Sequence, residues 1–160
     1  MSPALSVRVQ REDFDTAAEI KLAGETSRQT GAVVSFTGIC RDDDGGLAAL
    51  ELEHYPGMAE RALAATAQEA LDRWRLLAIT IIHRFGRIVP GENIVLVVTA
   101  STHRQAAFEA ASFLMDFLKS RAPFWKKIIS GDGSDSGWVD AKDTDEDALR
   151  RWSETHGCDR

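Results

Sequence analysis

Residues 93–121 read as a strand that runs straight into a long helix. Asn93–Ala100 (NIVLVVTA) is dominated by β-branched and apolar residues, the composition of a strand. Ser101–Arg121 then places Ala107, Phe108, Ala111, Leu114, Met115 and Leu118 at three- and four-residue spacings, and Pro123 stops the helix. A helix with one apolar stripe has to bury it on another element. The chain is therefore committed to layers of helix and sheet.

The other segments supply those layers. Ala4–Val9 alternates weakly as a strand, and Asp15–Ala23 reads as a short helix with Asp15 as N-cap and Gly24 as its end. Gly31–Ile39 (GAVVSFTGI) is apolar enough for a buried strand. Arg41–Gly46 (RDDDGG) is a loop. In Leu50–Tyr55, Leu50, Leu52 and His54 share one face and Glu51, Glu53 and Tyr55 the other. Pro56-Gly57 turns the chain into a helix over Met58–Trp74. Leu77–Phe85 is a further strand, and Pro90-Gly91 a further turn. Trp125–Ile129 is extended, Gly131–Gly137 is a loop, Trp138–Asp140 is a candidate hairpin partner, and Asp145–Thr155 is a last helix or a frayed tail. The order β-α-β-β-α-β-β-α-β-β-α contains hairpins as well as crossovers. It predicts an α+β fold with a largely antiparallel mixed sheet and packed helices, in a single compact domain.

A chain of 160 residues with 44% hydrophobic content closes a core without disulfide or metal staples. Cys40 and Cys158 form neither a zinc knuckle nor a disulfide framework. No apolar run reaches membrane-spanning length, and MSPALSVRVQREDF lacks the pattern of a secretory signal. A soluble, cytoplasmic, reduced protein is expected, with no membrane partner. The net charge of −6 argues against nucleic acid, but its distribution is uneven. Residues 101–130 carry five Lys/Arg against two Asp/Glu, whereas residues 131–160 carry four against nine. One basic stretch in an acidic chain suits a small anion or an acidic partner, although an ordinary solvated face has the same count.

Several chemistries are absent from the sequence. There is no GxxxxGK[ST] phosphate loop, no HExxH pair and no calcium-loop spacing around Asp42–Asp44. No metal is implied. Thr102 and Gln105 fit a T-x-x-Q capping box, which would place His103 and Arg104 in the first helical turn. Arginine there opposes the helix dipole at a cost on the order of a few tenths of a kcal/mol, and such local violations are expected at functional sites. His103, Arg104 and free backbone N–H groups would suit an oxyanion or phosphate; a surface partner for Arg104 would equally explain it. Lys119 and Arg121 suit a helix C-terminus on dipole grounds alone. Lys126 and Lys127 point to opposite faces of an extended segment, so one can enter a pocket while the other stays in water. Arg41 opens a loop from the end of a strand, either gripping a ligand or pairing with Asp42–Asp44. Cys40, beside Arg41, is either a low-pKa thiol or a small buried hydrophobe, and the second is the commoner role of a free cysteine. His54 and His83 lie within strand patterns and read as core or sheet residues rather than ligands. His156, in the tail, is uninformative.

Five blocks carry a further signal: GAVVSFTGICR (31–41), LELEHYPGMAE (50–60), IHRFGRIVPGE (82–92), STHRQAAFEA (101–110) and MDFLKSRAPFWKK (115–127). Together they resemble the large, catalytic subunit family of molybdopterin synthase, from about Gly31 to Trp152. The resemblance implies an α/β-hammerhead-like fold and a sulfurtransferase with no resident cofactor. It implies a homodimer that receives a small ubiquitin-like sulfur-carrier subunit at each end, giving a heterotetramer. The carrier's thiocarboxylated Gly-Gly C-terminus would enter a pocket and deliver two sulfurs to cyclic pyranopterin monophosphate, forming the dithiolene of molybdopterin. Carried over by position, the essential lysine falls on Lys119 and the second pocket lysine on Lys126. The anion-binding pair falls on His103 and Arg104, and the loop arginine on Arg41. Ile39 and Cys40 depart from the family pattern before that arginine. Lys142 stands where the family often has an arginine reaching the neighbouring subunit's site, without arginine's bidentate grip.

Two other classes compete. A docking module would bind the Gly-Gly tail without chemistry and would tolerate Lys119→Arg. A regulatory domain would bind phosphate ligands at the 102–121 helix terminus without a protein partner. Neither accounts for Lys119 and Lys126 together.

Overall fold

The computed structural model describes residues 2–139, 143–150 and 152–153. The elements in chain order are β1 (Ala4–Gln10), α1 (Thr16–Glu25), β2 (Ala32–Ile39), β3 (Leu47–His54), α2 (Met58–Arg73), β4 (Ala78–Arg84), β5 (Gly86–Ile88), β6 (Asn93–Ser101), α3 (Arg104–Ser120), β7 (Phe124–Ser130), β8 (Asp135–Val139) and α4 (Asp143–Arg150). The strands form two four-stranded sheets, ordered β1-β4-β6-β2 and β5-β3-β7-β8. In the first, β1 runs parallel to β4 while β4, β6 and β2 are antiparallel; the second is antiparallel throughout. The α+β class thus holds, with the strands divided between one mixed sheet and one antiparallel sheet.

Alternation in β4 and β6 organises the core. Ile79, Ile81, Val95 and Val97 face α2 and α3, where they meet Leu63, Phe113 and Leu114. Ala78, Ile82, Leu96 and Val98 face the opposite way, toward Ala23 and Ile20 of α1. With helices on both faces, β4 is buried at every position, as expected for a central strand. The second sheet turns Leu52 and Ile88 inward against Cys40. The chain changes sheets at Gly86, whose φ of 92° lies in the left-handed region open to glycine at little cost.

Local chemistry sets the helix ends. Asp15 caps α1 by accepting from the Ala18 N–H at 3.1 Å. Glu60 accepts from the Gly57 N–H at 2.7 Å at the start of α2. Gly24 does not end α1, because its φ is not positive and it continues as helix to Glu25. The expected buried strand over Gly31–Ile39 is also corrected. β2 is an edge strand, and Phe36 and Ile39 are 40% and 53% exposed. Composition marked it as apolar but could not show that only one neighbour covers it. The Gly131–Gly137 loop is shorter than expected, since β8 already begins at Asp135. Lys142, His156 and Cys158 lie outside the described residues.

Candidate functional site

A cleft of about 780 Å³ opens where the two sheets meet beside the end of α3. β3, β6 and β8 contribute apolar lining, and the residues that matter for chemistry come from four other elements. From α3 come Met115, Leu118 and Lys119; from β7, Phe124, Lys126 and Ile128; from β2 and its loop, Phe36, Cys40 and Arg41; and from β4, His83. Lys119 stands in the last turn of α3, where its charge complements the helix dipole. Pro123 follows Ala122 and β7 starts at once, so the turn between helix and strand brings Lys119 and Lys126 to the same cleft.

The β7 register explains the choice between neighbouring lysines. Lys126 pairs with Leu52 and lines the cleft. Lys127 pairs with Glu51 on the other face and lies over the Trp138 ring at 4.4 Å, a cation–π contact. Trp125 shares that outer face beside Glu53 and is 45% exposed.

Arg41 reaches the cleft mouth from the β2–β3 loop. The Cys40 N–H donates to the Glu92 carbonyl at 2.8 Å, and the Gly91 N–H to the Cys40 carbonyl at 2.8 Å. Asp42 closes the loop by accepting from the Leu47 N–H at 3.1 Å. The Arg41 Nε sits 3.0 Å from Asp43, with both side chains exposed. An exposed pair of this kind holds only weakly, so an anionic ligand can displace it. Cys40 is 2% exposed. Burial, and then Glu92 and Asp42, push its thiol pKa up, which suits a packing residue rather than a nucleophile.

His103 and Arg104 stand elsewhere. Both are exposed, and neither lines the cleft. Arg104 begins α3 and Lys119 nearly ends it, so about 22 Å separates them at 1.5 Å per residue. The expected capping box does not form. His103, not Thr102, is the N-cap, and it makes no side-chain cap bond. Ser101 Oγ donates instead to the His103 carbonyl, and Gln105 donates to Glu109.

Beyond the expected residues, the cleft contains His83. The histidine is 8% exposed and stacks on Phe124 with centroids 3.8 Å apart and planes 15° from parallel. Its Nδ1 lies 2.8 Å from the Arg84 carbonyl. Burial drives its pKa down to about 4; the Arg84 carbonyl opposes this, while His54 and Lys119 add to it. His54 packs against Phe85 and Phe124, and its Nδ1 is buried without a partner. The sequence signal was a histidine closing the apolar run LAITIIHRF. Among the described residues, no group of three or more His, Cys, Asp or Glu is gathered to hold a metal.

The MoaE protein family model matches residues 9–121. A molybdopterin synthase catalytic subunit from Mesorhizobium japonicum is 64% identical over 149 residues, covering 93% of this chain and 94% of the relative. Among solved structures, the molybdopterin biosynthesis MoaE protein from Burkholderia ambifaria is similar at TM-score 0.81 and 46% identity, covering 93% of this chain and 98% of the other. A molybdopterin synthase from Staphylococcus aureus is similar at TM-score 0.73 and 32% identity, over 82% and 94%. Sequence and architecture agree along most of the chain, which belongs to the MoaE family.

Proposed function

We propose that the chain is the catalytic subunit of a molybdopterin synthase, with the α3–β7 cleft as its sulfur-transfer site. The observation that carries this reading is the convergence of Lys119 and Lys126 on one cleft whose mouth holds Arg41. The relatives' shared name describes a catalytic subunit, which implies at least one further subunit. The fit of the cleft favours the glycine tail of a small ubiquitin-like sulfur carrier. Phe36, Met115 and Leu118 give it apolar walls, and a Gly-Gly end is slender enough to bring a terminal thiocarboxylate up to the lysines.

The substrate in this reading is cyclic pyranopterin monophosphate. Carrier thiocarboxylate sulfur forms a C–S bond at a pterin side-chain carbon as a C–O bond there breaks and its oxygen leaves as water or phosphate oxygen. A second water then cleaves the acyl–sulfur bond, releasing the spent carrier as a carboxylate. Two such deliveries build the dithiolene. Each step develops negative charge on oxygen and requires proton transfer. Lys119 supplies a proton or stabilises the oxyanion, and Lys126 adds a second positive charge. Arg41 leaves Asp43 to grip the substrate phosphate.

The separation of about 22 Å along α3 bears on His103 and Arg104. One small molecule cannot touch those residues and Lys119 within one chain. A homodimer in which the second copy brings its α3 start to the cleft mouth reconciles them, and two carriers then complete a heterotetramer. Lys142 is assigned to the same inter-chain contact.

The test is reconstitution. Purified protein, thiocarboxylated small subunit and the pyranopterin precursor are expected to yield the dithiolene product. A folded protein that binds the carrier yet gives no product would support the docking module instead.

A further inference from the structure

The reaction assigned to Lys119 leaves one buried polar side chain of the cleft without a task. His83 occupies β4 with the parity of Ile79 and Ile81, on the face toward α2 and α3. His54 and Lys119 lie close enough to act on it, and the ring is held on two sides. Phe124 stacks on its face at 3.8 Å, and the Arg84 carbonyl lies 2.8 Å from Nδ1. A carbonyl can only accept, so Nδ1 carries the proton and Nε2 keeps its lone pair. It lines the same cavity as Lys119 and Lys126. Its ring also lies within electrostatic range of Lys119.

We propose that His83 is a positioning residue for Lys119: with Nδ1–H committed to the Arg84 carbonyl, the ring offers Nε2 on the cleft floor as the acceptor for an ammonium hydrogen of Lys119 once substrate is bound. Such contacts often tighten only in the substrate complex. Rigid support of this kind is how a scaffold holds a flexible lysine in a reactive orientation. The inference rests on the assignment of Lys119 to the chemistry, so its test separates the two.

His83→Phe keeps a ring against Phe124 but has no lone pair, whereas His83→Gln places an oxygen close to the Nε2 position. In the reconstituted synthase, His83→Phe is expected to lower kcat by about 10- to 100-fold with KM within about threefold, and His83→Gln to recover most of that loss. A His83→Phe kcat within twofold of wild type, or equal losses in both variants, would overturn the proposal. A second measurement does not depend on either variant folding. With 15N-labelled histidine and bound precursor, the Nε2 resonance of His83 is expected to shift between wild type and Lys119→Ala. An identical resonance in the two would overturn the His83 inference even if Lys119→Ala is inactive. Full turnover by Lys119→Ala would overturn the role of Lys119 itself, whatever the spectrum shows.

Discussion

At the scale of single residues, burial decides which polar groups work and which only pack. His83 is neutral at pH 7 because its surroundings exclude the charged form, while in the unfolded chain it titrates near 6.5. Its folded pKa lies below the unfolded one, so the contribution is fully present above about pH 6.5 and is lost as pH falls toward 4. The shift to about 4 corresponds to about 3 kcal/mol over that window. Denaturant melts of wild type and His83→Phe at pH 7 and pH 4 are therefore expected to differ in pH dependence by about that amount. A parallel loss in both proteins would assign the acid sensitivity to other groups. This residue also marks a limit of sequence reading. The histidine in LAITIIHRF was visible as a sheet residue, but only the placement of Phe124 and Lys119, about forty positions later in the chain, makes it part of a cleft. Lys126 was more legible, because strand alternation alone separates it from Lys127.

Elements were read well where one periodicity dominated. The spans of α2, β6 and α3 follow their apolar spacing, with end shifts of up to three residues. What pattern cannot carry is neighbour identity. β2 and β4 are similarly apolar, yet one is an edge and the other is covered on both faces. The split into two sheets falls at Gly86, just beyond the strand expected over Leu77–Phe85, and the three-residue β5 that follows it has no sequence pattern of its own. Gly86→Ala would hold a Cβ at φ 92°, 2.6 Å from an Arg11 guanidinium nitrogen. The arginine can move but the backbone strain stays. A loss of about 1–2 kcal/mol is expected by chemical denaturation, and an unchanged midpoint would show that this junction is not strained.

At the scale of the whole molecule, contacts far apart in sequence complete the core and the site. The Trp152 ring meets Trp74 and Phe113 edge-on at 5.6 and 5.5 Å, and its Nε1 donates to Asp116 at 2.6 Å. Arg73 donates to its carbonyl at 3.0 Å. Trp152→Ala is expected to cost about 2 kcal/mol and to lower Tm by roughly 4–8 °C; an unchanged Tm would show that this strap adds nothing. The separation of Arg104 from Lys119 gives a prediction about assembly. If the proposed homodimer shares its sites, Lys119→Ala and Arg104→Ala variants, each inactive alone, are expected to regain roughly a quarter of wild-type activity when their subunits are exchanged, because each mixed dimer would then carry one intact site. No recovery after verified exchange would contradict a site shared between two copies of the chain. The most direct measurement is single-turnover dithiolene formation by Lys119→Ala with saturating carrier and precursor. A fall of about a hundred- to ten-thousandfold is expected, with carrier binding and Tm near wild type. Wild-type turnover in that variant would contradict the role of Lys119.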